Sequence, residues 1–209
     1  MKLVSFVIGF LILFSACHEA HQLPILGNRT PIEKMVDGKM VVDTEYATVP
    51  DFFFLNQDSM AVTQETVKGK IYIADFFFVS CPTICPIMKK QMIRVFEKYK
   101  GDSNILLLSH TIDPEHDTIA LLKDYSTRLG SDGKQWMFLT GNREAIYDMA
   151  EKGYYATAMP DSTEPGGYVH SGGFILVDGL RRVRGIYNGT DEADVTHLMD
   201  DIDMLKKEK

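Results

Sequence analysis

The sequence predicts an α/β fold: a central mixed β-sheet flanked by helices, with an added N-terminal β-hairpin. Three observations predict it. Short, almost continuously apolar runs alternate with segments of helical period, the pattern of buried strands covered by helices. An Asp-Gly dipeptide between two apolar arms marks a hairpin ahead of them. The chain then closes on two strands joined by a turn and a final amphipathic helix. There is no internal repeat, no coiled-coil heptad and no sign of a second domain.

The elements follow in order. Met35 to Val42 carries apolar residues on both sides of Asp37-Gly38, a pair suited to a two-residue hairpin turn. Phe52 to Leu55, the turn-forming Asn56 to Ser59, and Met60 to Val62 predict a second small hairpin. Lys70 to Val79 has the composition of a central strand covered on both faces, interrupted only by Asp75. An acid inside such a strand must be paired or have a raised pKa. From Cys85 to Tyr99 the period becomes helical. Ile84, Met88, Val95 and Tyr99 fall near one stripe, with Ile87, Met92 and Phe96 beside it; Lys89, Lys90, Arg94 and Lys98 are placed on the outer face. Ile105 to Leu108 is a second strand, running into Ser109-His110-Thr111. Asp117 or Thr118 caps a helix that Gly130 stops. Trp136 to Leu139 is a third strand, and Arg143 to Lys152 a short helix. A loop rich in Pro and Gly leads to His170. Phe174 to Val177, a turn at Asp178-Gly179, and Arg182 to Tyr187 form the last hairpin, before a helix capped near Asp191.

The first residues have the layout of a secretory signal. Lys2 precedes an apolar run, Leu3 to Ser15, that is too short to span a bilayer comfortably. It ends in Phe14-Ser15-Ala16-Cys17, which resembles a bacterial lipoprotein signal, with Phe14 where Leu is usual. The expected organisation is a lipoprotein signal over 1–17 with lipidation at Cys17, a tether over 18–34 and one domain over 35–209. The expected location is the bacterial cell envelope, on a membrane-anchored lipoprotein facing the periplasm. The part beyond Cys17 is about 190 residues, the size of one ordinary domain. A formal charge of −7 and the lack of any long Lys/Arg run exclude a nucleic-acid partner. A lipid anchor, not basic charge, would hold it to the membrane.

Of three cysteines, Cys81 and Cys85 remain once Cys17 is assigned to lipid. A secreted domain that needs staples carries more pairs, spread along the chain. A lone close pair points to function. It sits where a buried strand gives way to a helix, at the strand end where ligands bind in such sheets. If the helix has begun by Cys81, the four-residue step puts both sulfurs on one side. Orphan N–H groups and the helix dipole there favour thiolate. The same geometry serves a reversible disulfide or a soft metal site. Two thiolates can hold Cu(I), and an imidazole can complete the set; thiolate softness selects Cu(I) over calcium, magnesium or manganese. A structural zinc site normally wants four protein ligands, and there is no third cysteine in the domain to supply one.

The segments from Asp75 to Met88, Thr111 to Thr118, Trp136 to Gly141 and Val169 to Asp178, taken in order, resemble the SCO/SenC family of copper-binding cytochrome c oxidase assembly proteins. The likeness covers roughly residues 50–205. It implies a thioredoxin-like fold and a copper site formed by Cys81, Cys85 and His170. Cu(I) is the expected state, and Cu(II) is also to be considered. It also implies delivery to the dinuclear copper site of a respiratory oxidase, with a copper-receiving oxidase subunit and a thiol reductant as partners. Thr83 departs from the acidic residue often found between the cysteines, without removing a ligand. Asp75, Asp113 and Asp178 are candidates for the layer around the ligands; Asp178 or the backbone after Ser171 could fix the His170 tautomer. His110 is an auxiliary-ligand candidate and His116 a weaker one. Met88 is assigned to the core.

A thiol–disulfide oxidoreductase would use Cys81 and Cys85 as its redox-active pair. Against it, thioredoxins separate their cysteines by two residues and face them with a proline. Here the spacing is three, and Val169-His170-Ser171 stands in that loop. A peroxide-consuming enzyme lacks an activating set of polar partners.

Overall fold

The computed structural model describes residues 22–208. The expected signal segment, Cys17 and residues 18–21 lie outside the described residues.

The first hairpin pairs β1 (Arg29–Val36) with β2 (Lys39–Tyr46) in antiparallel register, Val36 opposite Lys39. Asp37 (φ 50°) and Gly38 (φ 76°) both take the positive φ that a two-residue turn of this hand needs. The strand begins inside the stretch expected to be tether, so the 34/35 boundary cuts through β1. The chain is packed against the domain from Leu23, which is buried. Leu26 N donates to the Val183 carbonyl at 2.8 Å, and the buried Arg184 guanidinium donates to the carbonyls of Leu23 and Pro24. A composition of Gly, Pro and polar residues suggested a linker. Two leucines and these backbone partners override that reading.

Next come the second hairpin, β3 (Phe53–Asn56) and β4 (Ala61–Thr63), and a one-turn helix α1 (Gln64–Val67) capped by Thr63. The main alternation is β5 (Ile71–Phe77), α2 (Ile84–Tyr99), β6 (Ile105–Thr111), α3 (Ile119–Arg128) and β7 (Trp136–Thr140). A helix α4 (Arg143–Asp148) continues into a π-helical turn, Met149–Gly153. Where the sequence suggested only a loop, β8 (Ala158–Pro160) pairs with β9 (Tyr168–His170). The closing elements are β10 (Gly173–Val177), β11 (Val183–Asn188) and α5 (Glu192–Leu205).

The seven-stranded sheet runs β11-β10-β5-β6-β7-β3-β4. Strands β5, β6 and β7 are parallel, and β10 and β3 flank them antiparallel, which makes the sheet mixed as expected. Side chains alternate along β5. Asp75 and Phe77 face α2 and α3, whereas Tyr72 and Phe76 pack on Tyr154 beneath the other face. The arrangement is thioredoxin-like with an added N-terminal hairpin. Among the described residues no helix is long and apolar enough to cross a membrane.

Two helical positions depart from expectation. Lys89, placed on the outer face of α2 by its charge, is 2% exposed and ion-paired to Asp75 at 2.6 Å. The acid in the apolar strand demanded a partner, and that demand outweighs the cost of burying an ammonium. Ile87, placed beside the apolar stripe, is exposed instead.

Helix α5 is capped by Asp191, whose carboxylate accepts from the N–H groups of Ala193 and Asp194. Asp191→Ala should cost about 1 kcal/mol of stability, the usual worth of such a cap. Denaturant melts check it, and an unchanged midpoint would show that packing alone holds the helix.

Candidate metal centre

Strand β5 ends at Phe77, and the chain turns through Phe78 to reach Cys81, whose N–H donates to the Phe78 carbonyl at 3.2 Å. Helix α2 begins at Ile84, so Cys81 lies before the helix and not in its first turn as supposed. Pro82 explains the difference: a residue preceding proline is driven out of helical angles. Cys85 sits in the first turn, where Pro86 costs no hydrogen bond because those N–H groups have no helical partner. The two sulfurs are brought together by the turn, not by helical periodicity.

His170 arrives from a separate element, the last residue of β9. Its Nε2 lies 3.2 Å from Cys85 Sγ, and its Nδ1 lies 3.2 Å from the Ser171 carbonyl. A carbonyl only accepts, so Nδ1 carries the proton and Nε2 presents its lone pair to the sulfur. The ligand atoms of Cys81, Cys85 and His170 all lie within 4.8 Å of one another, and all three residues are buried. Both thiols are free.

The three groups differ electrostatically. Burial raises the Cys81 thiol pKa, but backbone hydrogen bonds at Thr83 and Cys85, helped by the Cys85 and Thr83 side chains, outweigh it and leave the thiol below its usual value. Burial pushes Cys85 far up; a hydrogen bond from the Phe78 backbone and the Lys89 charge offset this only in part. Burial also depresses His170, against the pull of the Ser171 carbonyl, and keeps the imidazole neutral. One ionisable thiol, one thiol hydrogen-bonded to imidazole and one neutral ring form a donor set that fits a soft, low-coordinate cation. Zinc accepts the same atoms but normally takes a fourth ligand.

A model of the SCO1/SenC family matches residues 42–206. The chain belongs to the SCO1/SenC family. The SCO1 protein homolog of Bacillus subtilis is 30% identical over 167 residues, covering 79% of this chain and 86% of that one. The structure of a SCO1/SenC family lipoprotein from Bacillus anthracis superimposes with a TM-score of 0.70 at 26% identity, over 77% of this chain and 95% of that one. BsSco, a member of the Sco family of cytochrome c oxidase assembly proteins with a disulfide switch, gives 0.68 at 30% identity, over 78% and 95%.

In this SCO1/SenC chain the other expected residues are distributed unevenly around the three ligand atoms. Asp75 is fully buried below the site, bonded to Lys89 at 2.6 Å and to the Ser109 hydroxyl at 2.5 Å. Trp136 Nε1 also donates to Ser109 Oγ, and the Lys89 ammonium sits 4.2 Å from the centre of the Phe77 ring. Asp113 accepts from the Tyr168 hydroxyl at 2.8 Å and bonds His116 Nδ1 at 2.8 Å. Asp178 is not near the ligands. It follows the far end of β10, where Val177 pairs with Tyr72 at the start of β5, and it is held by Arg182 and Arg184. The Ser171 carbonyl takes the tautomer-fixing role instead. His110 is buried among Phe54, Phe76 and Tyr154 on the opposite face, with neither ring nitrogen bonded. His116 is on the surface beside Asp113, and Met88 is fully buried in the core. Thr83 Oγ1 lies 3.7 Å from Cys81 Sγ. Sequence reasoning missed Lys89 and Tyr168. Lys89 follows Cys85 by one helical turn, a spacing that could have flagged it; nothing local flagged Tyr168.

Proposed function

We propose that this SCO1/SenC protein is a copper metallochaperone that binds Cu(I) through Cys81, Cys85 and His170 and passes it to the dinuclear copper site of cytochrome c oxidase. The observation that carries the reading is the convergence of two sulfurs and an imidazole Nε2 within 4.8 Å. Its membership of SCO1/SenC and its likeness to BsSco, an oxidase assembly protein, support the oxidase as destination. Binding takes the protons of both thiols, while the Nδ1–H bond to Ser171 keeps Nε2 free to ligate. Cys81, at 8% exposure against 1% for Cys85, is the sulfur that an incoming partner thiolate reaches first, so release proceeds by ligand exchange at that edge. We also propose that Cys17 carries the lipid that holds the domain to the bacterial membrane, in keeping with the Bacillus anthracis lipoprotein. A thiol reductant is then a required partner, because an oxidised pair has no thiolates to offer.

A second reading, thiol–disulfide exchange, is favoured by the proximity of two free thiols of unequal exposure. Cys81 would attack a substrate disulfide and release one thiolate. Cys85, as thiolate, would then attack the Cys81 sulfur of the mixed disulfide and expel the second substrate thiolate, leaving a Cys81–Cys85 disulfide and a reduced substrate.

Titration of the reduced protein with Cu(I) against a chromophoric chelator tests the first reading, with one ion per chain expected. His170→Ala removes a ligand and should weaken binding by at least the roughly 10–100-fold lost when a mere outer-shell partner of a ligand is removed. Identical affinity in that variant would remove the imidazole from the site. Catalytic reduction of a protein disulfide with no tight Cu(I) binding would favour the second reading.

A further inference from the structure

The ligands come from two bodies. The cysteines belong to the β5–α2 junction, built into the sheet, whereas His170 rides on the β8–β9 hairpin, which is a separate two-stranded sheet. A two-stranded hairpin is marginal by itself, so something must hold it in place. Tyr168, two residues before His170 on β9, makes two contacts outside its own hairpin. Its ring lies 5.3 Å from that of Phe78, which in turn presents its face or edge to His170 at 6.0 Å. Its hydroxyl donates to Asp113 at 2.8 Å, in the loop after β6. Asp113 is itself anchored, since it is 5% exposed and its own N–H donates to Thr111 Oγ1.

We propose that Tyr168 is a positioning residue: its hydrogen bond to Asp113 clasps the His170 hairpin against the two cysteines, so that opening the clasp loosens the third ligand while leaving the sulfurs in place. The clasp rests on the copper reading for its purpose but not for its existence. It joins the hairpin to the β6–α3 loop by one hydrogen bond in addition to the shared Phe78 packing. A partner that competes for Asp113 or for the Tyr168 hydroxyl would therefore act on His170 without touching the cysteines.

The test uses the full chain and three variants. Tyr168→Phe keeps the ring on Phe78 and deletes only the donor. Asp113→Leu deletes the acceptor, and Asp113→Asn retains an oxygen for the phenol. In the metal-free reduced protein, Tyr168→Phe and Asp113→Leu should each speed amide exchange across Ala158 to Ser171 about tenfold, with the β5–β6–β7 amides unchanged. Asp113→Asn should stay near wild type, and the Tyr168→Phe/Asp113→Leu double variant should be no worse than either single change. Cu(I) affinity should fall about tenfold in the two clasp-breaking variants. Exchange at wild-type rates in Tyr168→Phe would overturn the clasp, as would additive losses in the double variant. Absence of Cu(I) binding by the wild-type chain would overturn the metallochaperone reading, and the exchange data would still decide the clasp.

Discussion

Cys81→Ser and Cys85→Ser should each abolish tight Cu(I) binding, lowering affinity by more than the ~100-fold upper range seen for losing a supporting group. A serine oxygen is a hard donor that does not ionise at neutral pH, so each variant keeps one soft anionic ligand. The remaining thiol and imidazole cannot compensate, because no other Cys, His, Asp or Glu among the described residues joins a cluster of this kind. Both variants should fold. Cys81 lies outside the helix, and a serine at position 85 keeps a hydrogen-bond donor for His170 Nε2. Competition titration reads the outcome. Wild-type affinity in both variants would end the copper-delivery reading. Loss in only one would reduce the site to a single sulfur with His170.

The largest stability effect is expected at Lys89. Its ammonium is sealed between Asp75, Ser109 and the Phe77 and Phe138 rings, and the Asp75 side chain is 0% exposed. Lys89→Met removes the cation and strands a carboxylate in the core, which should cost about 3–5 kcal/mol. In a domain of this size that corresponds to a fall in melting temperature of roughly 6–20 °C. Replacing both partners, as Asp75→Asn with Lys89→Met, should recover most of the loss, because a neutral pair has no desolvated charge to balance. Thermal and urea melts of the single and the double variant test this. A single variant as stable as the wild type would mean that Asp75 finds its compensation elsewhere.

These two residues also show how far sequence reasoning reaches. Asp75 announced itself, since a lone acid in Ile71-Tyr72-Ile73-Ala74-Asp75-Phe76-Phe77 cannot be buried without a partner. Its partner did not, because a lysine on a helix is assigned outward by charge alone. Yet Cys85, Lys89, Met92 and Phe96 follow one another at helical spacing, and all four are buried. The hairpin turn at Asp37-Gly38 was legible because its chemistry is local. The packed segment from Leu23 was not, since what holds it is the edge of β11 and a buried arginine more than 150 positions away. Asp178 was misplaced for a related reason. It closes the same strand that follows His170, but five extended residues carry it to the opposite end of the sheet.

By itself, then, the sequence determined the alternation of strands and helices, the cysteine pair at a strand-to-helix junction and, through its family motifs, the histidine that the fold brings beside the two sulfurs. Those features depend on short-range periodicity, on turn chemistry or on contiguous motifs. Only the tertiary structure decided that Cys81 approaches Cys85 through a turn, that Lys89 goes inward, that Asp178 stands apart, and that Tyr168 ties the His170 hairpin to Asp113. Each of these is a contact between segments far apart in the chain or a consequence of which face of the sheet is covered. Such contacts are selected by packing and by the cost of unpaired buried charge, neither of which leaves a local mark in the order of residues.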